Sequence, residues 1–129
     1  MSKILTVIVF LSVSVYAEGI SKAEQMITMQ KMESAMLMIQ RGFLHDKAEF
    51  VRYGTEELHG YIQNVNNFMI TVDKSGFDAK KYVSNEVKLM DRMAGQIAEE
   101  FEHGNKVQAR FLFDQTLSRC MACHKTVRK

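Results

Sequence analysis

No proline occurs in the 129 residues, and this constrains the fold more than any other single feature. Proline breaks helices because it lacks an N–H and its ring clashes with the preceding turn. A chain of this length without one is free to form long unbroken helices. Its apolar residues step by three and four, the period of one helix face, in four segments. Ser21 with Glu24 forms a capping box that opens a first helix running to about Arg41, with Gly42 as its stop. The stripe of that helix is Met26, Met29, Met32 or Glu33, Met36, Ile39 and Phe43.

Asp46 with Glu49 predicts a second capping box. It opens a helix carrying Phe50, Leu58, Tyr61, Ile62, Val65, Phe68, Met69 and Val72, with Gly54 and Gly60 as weak spots. A turn at residues 73–76 follows. Asp78 caps the third helix, which points Tyr82, Val83, Val87, Met90, Met93, Ile97 and Phe101 inward and ends at His103-Gly104. Asn105 with Gln108 caps the fourth, which carries Val107, Phe111, Leu112, Leu117, Met121 and His124. Short links between long helices favour antiparallel neighbours, hence an all-α, up-down-up-down four-helix bundle.

Residues 1–17 read as a secretory signal: Lys3 is a basic start, an apolar stretch follows, and Val15-Tyr16-Ala17 is a small-residue cleavage site. The apolar stretch is shorter than the roughly 20 residues of a permanent span, so the expectation is export with no stable membrane insertion. Residues 18–129 then form one domain. The chain's formal charge is +2, and loss of Lys3 leaves the mature domain near +1. With no basic stripe interleaved with aromatics, nucleic-acid binding is not expected.

Near the C-terminus the chain reads Cys120-Met121-Ala122-Cys123-His124, and these are its only two cysteines. Cys-x-x-Cys-His is the attachment pattern of c-type haem. Each thiol forms a thioether to one porphyrin vinyl group, and the adjacent imidazole ligates the iron. Other chemistries use the five residues less well. Structural zinc wants four ligands where the motif supplies three, with His45, His59 and His103 distant in sequence. A thioredoxin-type dithiol accompanies a βαβ unit, which has no counterpart here. A plain disulfide is the bland alternative in an exported chain. The expected cofactor is one covalently attached haem c with its iron.

In the bundle, the end of the fourth helix lies level with the start of the first. His124 and Met26 then stand at similar heights, with Met29 also at that level, Met32 marginal and Met69 a candidate from the second helix. His45 and His103 fall near the opposite end and His59 near mid-helix, as surface or cap residues. Thioether sulfur opposite histidine is a known haem ligand pair. Nine methionines besides Met1 also raise a copper(I) thioether site, although a helical methionine stripe is more often adaptable core packing.

The placement of the motif on the last helix of an exported bundle resembles the class II cytochromes c, the cytochrome c′ family and its low-spin relatives. Arg128, four residues after His124, falls where that family has a basic residue beside the proximal imidazole. Gly104-Asn105 and Phe113 match its turn and aromatic, and Arg41-Gly42 resembles the Lys-Gly ending its first helix. Anchored there, the resemblance implies Met26 as distal iron ligand, with Met29 one shift away, and Lys22 near the haem propionates. Val127 departs from the usual aromatic, the common tryptophan is absent, and the mature N-terminus is short.

The resemblance implies a periplasmic, non-enzymatic electron carrier with His/Met ligation that docks redox partner proteins. It also implies a homodimer through the first two helices, around Tyr53, Leu58 or Met38. The alternative within the family is a five-coordinate binder of nitric oxide or carbon monoxide. No distal histidine–arginine pair of peroxidase type is visible.

Overall fold

The computed structural model describes residues 19–72 and 75–127. The proposed signal at residues 1–17 and Arg128 lie outside the described residues. The remainder is a four-helix bundle: α1 (Lys22–His45), α2 (Ala48–Ile62) with a 3-10 turn (Gln63–Asn67), α3 (Ala79–Glu102) and α4 (Lys106–Val127). The Ser21 capping box forms as the sequence predicts: Ser21 accepts from the Glu24 N–H, and the Glu24 carboxylate accepts from the Ser21 N–H at 2.7 Å. Asp78 caps α3 by accepting from the Lys81 N–H at 2.9 Å.

Three boundaries differ from the sequence reading. Gly42 does not stop α1; it is buried inside the helix, where an added Cβ would lie 2.5 Å from Val51 Cγ2. The helix ends instead at Asp46, whose left-handed backbone (φ 52°) takes the role usual for glycine. Asp46 is therefore not the cap of α2, whose N-cap is Lys47, without a side-chain hydrogen bond; the Asp46 carboxylate pairs with Lys106 across the bundle. The second helix also stops earlier than its apolar residues suggest. From Phe68 the chain is extended, and Phe68 bridges to Ile20.

Packing follows the chain: α1 lies on α2, α2 on α3 and α3 on α4, whereas α1 and α4 approach far less closely. One core runs through all four helices, from Met32, Met36 and Ile39 through Leu58 and Ile97 to Leu112 and Phe113. On α3 the predicted inward residues Val83, Val87, Met90, Ile97 and Phe101 are all buried. On α4 the predicted stripe holds at Leu112, which is buried, and at half-buried His124, and fails elsewhere. Val107, Phe111, Leu117 and Met121 are exposed, and Ala109, Leu112, Phe113, Thr116 and Cys123 face inward. Ala109 and Thr116 are each 0% exposed, so the buried line of α4 passes through small side chains. The proposed dimer patch changes too: Tyr53 is exposed and Met38 half-buried, but Leu58 is a core residue at 0% exposure. Among the described residues no helix is long and apolar enough to cross a membrane.

Candidate functional site

All five motif residues lie on α4 within its last two turns. On a helix of 3.6 residues per turn, positions 120, 123 and 124 fall within about 100° of one another. Both thiols and the imidazole therefore project from one side. That side is the inner one: Cys123 is buried, while Cys120 and His124 are half-buried. The cysteines are free thiols and do not form a disulfide. Backing them is α3, where Cys120 Sγ lies 3.6 Å from Met90 Sδ and Glu86, one turn earlier, is buried.

Burial governs the thiol chemistry. It pushes Cys120 up to about 11, with the neighbouring Cys123 adding to the rise. Cys123 is raised by burial and then by the Glu86 carboxylate. Both thiols are thus protonated at neutral pH, unlike a reactive dithiol, which depends on a lowered pKa. Among the described residues no three His, Cys, Asp or Glu side chains cluster to hold a metal ion. A paired-thiol helix with one imidazole suits haem, whose porphyrin brings four iron ligands of its own, and the free, inward-facing thiols fit that attachment.

The candidate distal ligands separate by position. Met26 is 60% exposed and lies away from the core face of α1. Met29, the alternate, is half-buried and packs against the core, as does Phe43, and Met36 is itself a core residue. These three recur every seven residues and form one line along α1. Phe43 places that line between α3 and α4, because its ring lies 5.4 Å from Phe101 of α3 and meets Phe113 of α4 edge-on at 5.5 Å.

Two contacts set the relative height of α1 and α4 at 1.5 Å per residue. From Phe43–Phe113, His124 lies about 16 Å along α4 and Met29 about 21 Å along α1. From Asp46–Lys106 the two lie about 27 and about 26 Å away. Met26 falls about 4–5 Å beyond Met29 on either count. Met32 stands at the level of His124 or about 6 Å short of it, and is 6% exposed within the core. Met69, the candidate from the second helix, falls in the extended segment and is 61% exposed.

Lys22 is exposed at the first turn of α1, at the same end of the bundle as the motif. The other histidines are peripheral, as the sequence suggests. His45 ends α1, His103 caps α3, and His59 is 66% exposed with its Nδ1 2.6 Å from Asp91 Oδ1. At the motif's end of the bundle a cavity of about 420 Å³ opens among Gly19, Ile20, Asn66, Phe68 and Lys80, without any motif residue in its wall.

Glu86 is a site neighbour that the sequence reading missed. It sits among apolar inward positions and reads as one more helix-surface charge. Its only signal was its spacing, three residues after Val83 and four before Met90, on the buried side of α3.

Against known proteins, the chain matches no family model, no curated protein and no solved structure.

Proposed function

We propose that this chain is an exported monohaem c-type cytochrome that transfers electrons, with His124 as proximal iron ligand and Met29 as distal ligand. One observation carries the reading: Cys120, Cys123 and His124 share the inner side of α4 with both thiols free. Bound haem supplies a one-electron iron couple. The protein's part is to hold and shield it. Cys120 and Cys123 anchor the ring covalently to α4, and His124 presents its imidazole from the next position. Met29 is chosen over Met26 because it packs against the core on the line of α1 that meets α4, and because it stands nearer the height of His124. With haem bound, the Met29 thioether would serve as an iron ligand, which would keep small ligands out and raise the reduction potential. Electrons then pass to protein partners docked outside, and the segment at residues 1–17 directs the chain to the periplasm. Lys22 and Arg128 remain the proposed basic residues at the propionates and beside the proximal imidazole.

The test is expression with export and a haem-maturation system. The mature mass should equal the polypeptide plus one haem, and Cys120→Ala or Cys123→Ala should weaken or abolish loading. The ferric spectrum should be low-spin. Met29→Ala should convert it to high-spin and admit carbon monoxide to the ferrous form, while Met26→Ala leaves it unchanged. A mass equal to the polypeptide alone sinks the reading. A wild-type protein already high-spin and open to nitric oxide replaces the carrier with the gas binder.

A further inference from the structure

A buried charge backs the attachment helix, and packing alone does not account for it. Glu86 is 6% exposed, and glutamate is almost never fully buried unless paired. Its Oε1 lies 3.3 Å from Arg119 Nη1, while the Arg119 side chain is 45% exposed. The second oxygen, Oε2, is buried with no hydrogen-bond partner. A hydrophobic side chain of similar volume would fill this place as well, because replacing a buried ion pair by apolar residues is often neutral or stabilising.

The position of the pair is more informative than its packing. Arg119 directly precedes Cys120 on α4. Glu86 lies one turn before Met90, whose sulfur touches Cys120, and its charge also acts on Cys123. One face of α3 therefore presents a carboxylate and a thioether to both attachment cysteines. The two charges are not equally screened: the arginine reaches water and the carboxylate does not. In the low dielectric beside the cysteines the net field is negative.

We propose that Glu86 is an electrostatic tuning residue of the haem site, favouring ferric over ferrous iron, and that Arg119 offsets part of its charge. This rests on the cytochrome reading above. Ferric haem carries one more positive charge than ferrous haem, so a nearby buried anion stabilises it preferentially and lowers the reduction potential. Met29 ligation and Glu86 then act in opposite directions on the same couple.

The experiment measures midpoint potentials of haem-loaded wild type, Glu86→Gln, Arg119→Gln and Arg119→Lys at one pH and ionic strength, after mass spectrometry confirms loading. Removing the Glu86 charge should shift the ferric–ferrous equilibrium toward ferrous by about tenfold, which is about 59 mV upward for a one-electron couple. Arg119→Gln should move it downward by a smaller factor, and Arg119→Lys should stay near wild type. A purely structural pair would respond in one direction to loss of either member. Shifts of the same sign, or no shift beyond twofold in either neutral variant, overturn the proposal. If Glu86→Gln yields no holoprotein, Arg119→Gln measured against Arg119→Lys decides by the same criterion. A wild-type chain without haem overturns the cytochrome reading and this one together, whereas unmoved potentials in loaded chains overturn this one alone.

Discussion

Gly54→Ala should destabilise the protein although it improves the helix it sits in. An alanine in a helix interior is worth about 0.5–1 kcal/mol over glycine. At Gly54 the new Cβ would lie 2.7 Å from Ile39 Cγ1 and 2.8 Å from both Ala35 O and Ile39 N. Two of those three atoms are backbone, so no rotamer change relieves the overlap and α1 must retreat. Overpacking of this kind costs about 1–3 kcal/mol, which outweighs the propensity gain and leaves a net loss of about 1–2 kcal/mol. Gly60 and Gly95 supply the controls, since a Cβ at either meets nothing within 4 Å. Gly60→Ala and Gly95→Ala should each gain about 0.5–1 kcal/mol. Urea unfolding followed by circular dichroism separates the three variants through their midpoints. A Gly54→Ala protein as stable as Gly60→Ala would refute the close α1–α2 crossing. The same displacement carries the Met29 line of α1 with it, so holo Gly54→Ala should also show a partial high-spin component.

Raised thiol pKa values make the haem-free protein sensitive to alkali. Between about pH 9 and pH 11 the unfolded chain releases the Cys120 proton while the native state keeps it. Stability therefore falls across that window, by about 2–3 kcal/mol for a rise of two units. Unfolding of haem-free wild type and Cys120→Ala across this range checks the slope, which should flatten in the variant. Ser21→Ala removes the oxygen that caps α1 and should cost about 1 kcal/mol, read from the same midpoints. Ile97→Ala empties a site of 0% exposure and should cost about 2–5 kcal/mol. Haem loading should slow amide exchange most in the first half of α1 and the last half of α4, and least around Phe43 and Phe113, as hydrogen-exchange mass spectrometry would report.

Much of the fold was legible because its signals are local. The Ser21 and Asp78 caps, the His103-Gly104 end and the α3 stripe all depend on residues within a few positions of one another. The misreadings came from longer range. Gly42 looks like a stop on its own, but its missing side chain serves Val51 of the next helix. Asp46 has the composition of an N-cap, yet the chain reversal puts it in a left-handed conformation with its carboxylate on Lys106. On α4, bulk misled: the large residues Val107, Phe111 and Met121 suggested the buried face, whereas they are exposed and small Ala109 and Thr116 are fully buried.

The site divides along the same line. Cys120, Cys123 and His124 stand out in the sequence because they lie within five residues, and the helix puts all three on one side of α4. A distal ligand in the proposed holoprotein is a tertiary choice among methionines one turn apart, for which the resemblance implies Met26, with Met29 one shift away. Two contacts between α1 and α4, one aromatic and one ionic, set the height of one helix against the other, and the proposal of Met29 leans on them. Both contacts lie at the end of the bundle away from the motif. Toward the motif the large apolar residues of these two helices include exposed ones, Met26 and Ile27 on α1 and Met121 on α4. In the proposed holoprotein this is the end where a planar apolar cofactor adds packing that the side chains do not provide. Unlike the sequence-adjacent helix pairs, α1 and α4 pack only loosely on each other, so the proposed cofactor would add most to the contact between the helices that bear its two proposed ligands.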